Sequence, residues 1–71
     1  MSIKLDMTTA RAANLTADDN GQWIVWQADP GVCLGIGATR DEAITDAIRC
    51  GVAEHQIDDD DIAIDTLSIV D

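Results

Sequence analysis

The stretch Gln22 to Ala28 (QWIVWQA) is bracketed by two chain reversals, and this bracket constrains the fold more than any other feature. Trp, Ile and Val suit a pleated, half-buried surface, so the stretch predicts a strand. Before it, Asp18-Asp19-Asn20-Gly21 reads as a hairpin turn, because Asn-Gly supplies the positive φ angles of a type I′ turn. After it, Asp29-Pro30-Gly31 reads as a second turn, since Pro presets φ and Gly permits the reversal. A strand between two tight turns needs a partner on each side. Val32 to Ile36 is expected on one side and Ala12 to Ala17 on the other. Taken alone, Thr8 to Ala17 leaves helix and strand open: its alanines favour helix, its Thr and Asn residues do not.

The remaining elements follow from periodicity and caps. Ile3, Leu5 and Met7 alternate with Lys4 and Asp6, which predicts a short strand with one buried face. Gly35 and Gly37 are expected to loosen the end of the third strand and let the chain turn into a helix. Thr39-Arg40-Asp41-Glu42 has the form of a capping box, so a helix is expected from Arg40 to about Glu54. Its acids Asp41 and Glu42 suit the positive end of the helix dipole. At 100° per residue, Ile44, Ala47, Ile48, Gly51 and Val52 share one face, joined by His55 if the helix continues. Glu42, Asp46, Arg49 and Ala53 lie opposite. Asp58 to Asp61 reads as a solvated loop. Ile62 to Val70 reads as a last strand whose alternation slips at Asp65-Thr66, where a bulge is expected. The fold class is therefore α+β: an antiparallel sheet of about three to five strands with one helix on one face, in the order β-β-β-α-β.

Length and charge bound the function. The chain has 71 residues, 14 acidic against 4 basic, for a net charge of −10. That length allows a single small acidic domain spanning 1–71 with a modest core. Lys4, Arg11, Arg40 and Arg49 cannot neutralise a run of phosphates, so direct binding of DNA or RNA is not expected. Anionic membrane surfaces are excluded for the same reason. No signal peptide or membrane span is visible, and Cys33 and Cys50 make no disulfide framework. The cytoplasm is the expected setting, with both thiols free.

The groups that could carry chemistry lack partners. His55 is the single histidine, and no triad signature surrounds Ser2 or Ser68. Cys33, Cys50 and His55 do not have the spacing of a structural zinc site. The run Asp58-Asp59-Asp60-Asp61 lacks the Gly and terminal Glu of an EF-hand. Gly35-Ile36-Gly37-Ala38-Thr39 resembles a phosphate-cradling loop, but Arg40 stands where the third Gly of a dinucleotide fingerprint belongs, and no P-loop Lys follows. An enzyme, a metal or another cofactor is not expected.

The charge itself is the strongest signal, since −10 exceeds the magnitude of about 2–8 that keeps a small domain soluble. An acidic folded surface suits a basic protein groove, including one built for nucleic acid. The acids expected to act as phosphate surrogates are Asp41, Glu42, Asp46, Glu54 and the run Asp58, Asp59, Asp60 and Asp61. Trp23 and Trp26 are three apart in a strand and point to opposite faces. One enters the core beneath the helix. The other either packs against the N-terminal segment or stays exposed as an apolar anchor, a role assigned here to Trp26.

Two resemblances follow. Asp29, Pro30 and Gly31, then Gly37, Thr39, Glu42 and Ala43, resemble the Asp-Leu-Pro-Gly and Gly-Asp-Thr-x-x-Glu-Ala motifs of HicB-type antitoxins over roughly residues 12 to 70. The Leu between Asp and Pro is missing, and Ala38 replaces the motif's second Asp. The loop between Gly31 and Gly37 is one residue longer. The resemblance implies a partial RNase H-like fold and a basic RNase toxin as partner. Such antitoxins often carry a C-terminal DNA-binding module, which this chain, ending at its last strand, is not expected to include. In size, acidity and lack of a catalytic constellation, the chain is also similar to phage-encoded anti-CRISPR proteins that mimic DNA. The leading expectation is an inhibitory binding protein that occupies the nucleic-acid groove of a basic partner, such as a CRISPR effector subunit. A homodimer is left open.

Overall fold

Asp6 decides how the chain begins. In the computed structural model, which describes residues 2–70, β1 (Ile3–Asp6) passes directly into a helix, α1 (Met7–Ala12). The Asp6 carboxylate accepts the Thr9 backbone N–H at 2.6 Å and caps α1. The helix closes on a Schellman motif. The Leu15 N–H bonds the Ala10 carbonyl at 2.8 Å and the Asn14 N–H bonds the Arg11 carbonyl at 3.0 Å, with Asn14 at φ 63°. Ala10 and Leu15, joined by that motif, are both buried.

This start removes the expected partner strand at residues 12–17, since Ala12 to Leu15 are committed to the helix end and Ala17–Asp19 forms a short 3-10 turn. Asn20-Gly21 does not make a type I′ hairpin. Asn20 has φ −56° and ψ 134°, Gly21 has φ 87°, and the Gln22 N–H bonds the Asp19 carbonyl at 3.0 Å. That is a type II turn, in which only Gly needs positive φ. The turn feeds the chain onto the last strand instead. Gly21 N–H bonds Leu67 O, Leu67 N–H bonds Gln22 O, and Asn20 Oδ1 accepts the Ile69 N–H at 2.7 Å.

Among the described residues the sheet has four strands, β1, β2 (Trp23–Gln27), β3 (Val32–Gly37) and β4 (Ile62–Val70), in spatial order β1-β4-β2-β3. It is mixed rather than antiparallel: β2 is antiparallel to both β3 and β4, whereas β1 is parallel to β4, with Ile3 opposite Leu67. The second turn forms as expected between β2 and β3, with a cis Asp29–Pro30 bond and Gly31 at φ 97°. A second helix, α2 (Arg40–Arg49), follows β3, and a 3-10 turn over Glu54–Asp58 precedes β4. The element order is thus β-α-β-β-α-β, with one main helix and a short second one.

Both faces of the sheet are covered. Val25, with Trp23, Leu34, Ile62 and Ile64 beside it, packs against Ala43 and Ala47 of α2. Ile24, Trp26, Leu67 and Leu5 pack with Ala10 and Leu15 on the opposite side. This explains the slip in β4 without a bulge there. Ile62 and Ile64 serve the α2 face, Leu67 and Ile69 serve the α1 face, and the pairing to β2 runs unbroken through Asp65 and Thr66. The bulge lies in β3, where Val25 pairs with Gly35 and Trp26 with Cys33, so that Leu34 is the extra residue. Ile24 and Val25 are fully buried, and each contributes about 1.5–3 kcal/mol of transfer free energy.

Trp26 requires a correction. It is only 7% exposed, enclosed with Leu5, Ala10 and Leu15, because α1 covers the face expected to be open. It is a core residue, not an exposed anchor.

Candidate functional site

The helix that carries most of the outer acids is held unusually close to the sheet. A Cβ placed on Gly35 would fall 2.5 Å from the Ala47 nitrogen, and one on Gly37 2.7 Å from the Ala43 nitrogen. The two glycines therefore admit the α2 backbone against β3, rather than loosening the strand. The line of contact is Ala43 and Ala47, both fully buried, so Ile44 is half-buried and Ile48 is 38% exposed. Helical periodicity groups Ile44 and Ile48 with Ala47 on one apolar face. The glycine-alanine contact rotates the helix away from that arrangement.

Both ends of α2 are capped. Thr39 Oγ1 accepts the Glu42 N–H at 3.2 Å, and Glu42 Oε2 reaches back to the Ala38 N–H at 2.9 Å. The helix stops at Arg49, short of Glu54, in a second Schellman motif: Val52 N–H to Ala47 O at 3.1 Å and Gly51 N–H to Ile48 O at 3.0 Å, with Gly51 at φ 106°. His55 therefore leaves the helix and lies exposed in the 3-10 turn, where Gln56 Oε1 accepts the Ala53 N–H.

The expected acids divide into two sets. Asp41, Glu42 and Asp46 line a shallow groove of about 340 Å³ with Ile36, Thr45 and Arg49, on the side of α2 next to the free edge of β3. Two of these acids already have backbone partners. Glu42 holds Ala38, and half-buried Asp46 accepts the Ile36 N–H at 3.0 Å, tying helix to edge strand. Asp46 therefore faces β3, not the outer side of the helix where the periodicity placed it.

Glu54 and Asp58 belong to the second set, on the other flank of α2. With Arg40, Ile44, Ile48 and Ile57 they line a groove of about 240 Å³. Asp59, Asp60 and Asp61 continue from it, all exposed. The Ala28 N–H bonds the Asp61 carbonyl at 3.2 Å, which brings the acidic loop against the β2–β3 turn. Exposed Asp29, adjacent to Ala28, thereby joins the group; its sequence distance from Asp58 hid this. Asp18 and Asp19 precede β2 and lie at its opposite end. No charged side chain among the described residues is buried. Asp65 is half-buried in β4, where its carboxylate accepts the Thr66 N–H at 2.7 Å, and Asp71 lies outside the described residues.

Among the described residues, two ionisable groups are displaced from their ordinary behaviour. The Thr9 backbone N–H, followed by the Thr9 side chain, holds the Asp6 carboxyl below its usual range. Burial pushes the Cys33 thiol up, assisted by the carboxylates of Asp46 and Asp19. Cys50 is exposed at the end of α2. Among the described residues, no three His, Cys, Asp or Glu side chains are grouped so as to hold a metal ion, and no helix is long and apolar enough to cross a membrane.

Compared with known proteins, the chain matches no family model, no curated sequence and no solved structure.

Proposed function

We propose that the chain is an inhibitory binding protein whose acidic surface occupies the basic nucleic-acid groove of a partner in the cytoplasm of a bacterial host, with a CRISPR effector as the favoured class. One observation carries the reading. Glu54, Asp58, Asp59, Asp60, Asp61 and Asp29 are all exposed: Glu54 and Asp58 line one groove, the run to Asp61 continues from it, and the Ala28–Asp61 bond brings the turn bearing Asp29 to that run. Charges held on a folded frame present a fixed pattern to a partner and steer encounter electrostatically. In this reading these six carboxylates, joined by Asp41, are the phosphate surrogates. Glu42 and Asp46 act chiefly by holding α2 in place.

The antitoxin reading keeps one specific support. The residues that resemble HicB-type motifs lie at the β2–β3 turn and at the entry to α2. Under that reading the same surface covers a basic RNase toxin.

Capture of the partner from host lysate, identified by mass spectrometry, separates an effector from a toxin. With the partner in hand, association rates are measured across a salt series for the parent and for a variant with Asp58 to Asp61 changed to Asn. Slower association and a flatter salt dependence are expected of the variant, because rim charges act mainly on the on-rate. Changing Asp18 and Asp19 to Asn is the control and is expected to matter less. If the four-Asn variant inhibits as well as the parent at low and high salt, the acidic loop is not the contact.

A further inference from the structure

We propose that the groove between α2 and the 3-10 turn Glu54–Asp58 is the seat for an apolar side chain presented by a basic, amphipathic helical segment of a partner protein. The inference rests on the acidic-surface reading above and supplies the anchor that buried Trp26 cannot.

The floor of the groove is aliphatic, built from Ile44, Ile48 and Ile57. Ile48 is one of two large apolar side chains exposed among the described residues. The packing of α2 on the sheet does not use Ile48, because Ala43 and Ala47 make that contact. The rim selects the occupant. Glu54 and Asp58 flank the floor, and the exposed run to Asp61 continues from Asp58. Arg40 is the single cation of the lining. With a net charge of −10 over the whole chain, an acidic segment or an anionic lipid surface is repelled. A helix that places one or two aliphatic residues into the groove and lysines or arginines beside them satisfies both floor and rim. Arg40 opposes such a segment, so its removal is expected to tighten binding.

The test uses two synthetic peptides of equal positive charge, one an amphipathic lysine–leucine helix and the other with every leucine replaced by serine. Binding to isotope-labelled protein is followed by amide shifts and by titration. The parent is expected to prefer the leucine peptide, with shifts centred on Ile44, Ile48 and Ile57. Ile48→Ser is expected to weaken that peptide about tenfold and leave the serine peptide unchanged. Ile48→Leu restores the preference, and Arg40→Gln tightens both peptides. If Ile48→Ser binds the leucine peptide as the parent does, while the four-Asn loop variant still loses both peptides, the groove inference is overturned and the acidic-surface reading stands. If the four-Asn variant loses neither, that reading fails instead. Should Ile48→Ser lower the melting temperature, the shift map of the parent decides: shifts confined away from the groove overturn the inference.

Discussion

Adding one methyl group at Gly35 tests how the helix is held to the sheet. The new Cβ would sit 2.5 Å from the Ala47 nitrogen and 2.8 Å from its Cβ, and would also strike the Ala43 carbonyl oxygen. Two of these three atoms are backbone, so no rotamer change relieves the contact. The helix must lift by about 1 Å to recover an ordinary separation of roughly 3.5 Å. Lifting loosens Ala43 and Ala47 on Val25 and stretches the bond from the Ile36 N–H to Asp46. Overpacking costs about 1–3 kcal/mol, and rigid backbone on the far side places Gly35→Ala near 3. A domain of this length has roughly 4–11 kcal/mol of stability in all. At roughly 4–8 °C per kcal/mol, the melting temperature should fall by about 12–24 °C. Gly21→Ala is the comparison: nothing lies within 4 Å, and only its φ of 87° resists a side chain. That conformational cost is about 1–2 kcal/mol. Both variants are read by far-ultraviolet circular dichroism and by the fluorescence of Trp23 and Trp26. If Gly35→Ala loses no more than Gly21→Ala, the close approach of α2 to β3 is not what these glycines serve.

Three further outcomes are expected. Asp46→Ala should cost about 1 kcal/mol, partly offset by the better helix propensity of Ala, and should speed hydrogen exchange at the Ile36 amide; unchanged exchange there would contradict the helix-to-edge bond. Because the Asp6 carboxyl is held below its ordinary 3.8, its contribution to α1 is present above the unfolded pKa and is lost as pH falls through the folded one. The Thr9 amide shift should therefore titrate below the usual aspartate range, and a midpoint at or above 3.8 removes the cap argument. Iodoacetamide at neutral pH should modify exposed Cys50 faster than half-buried Cys33 by more than about tenfold, read by mass spectrometry of the peptides, and equal rates would contradict the burial of Cys33.

Local signals in the sequence determined much of the fold from β2 through α2. Asp29-Pro30-Gly31 set a turn, QWIVWQA a strand, and Thr39 with Glu42 a helix start, because each acts within a few residues of itself. The acidity was equally legible, since charges seldom enter a core. Asp6 and Asn14 were local signals too, an N-cap and a left-handed C-terminal residue, but a helix as short as α1 is too brief for periodicity to reveal. What the tertiary structure decided concerns partners distant in sequence. Asn20-Gly21 carries the chain onto β4 rather than into a hairpin, because Ile69, Leu67 and Gln22 complete its bonds. The two halves of β4 bury opposite faces because α2 covers one and α1 the other, so the slip at Asp65-Thr66 needed no bulge. Gly35 and Gly37 draw Ala43 and Ala47 to the sheet, turning Ile48 outward and Asp46 toward β3. Amphipathic periodicity shows which residues can share a helix face. The shape of the opposing strand decides which of them touches the core.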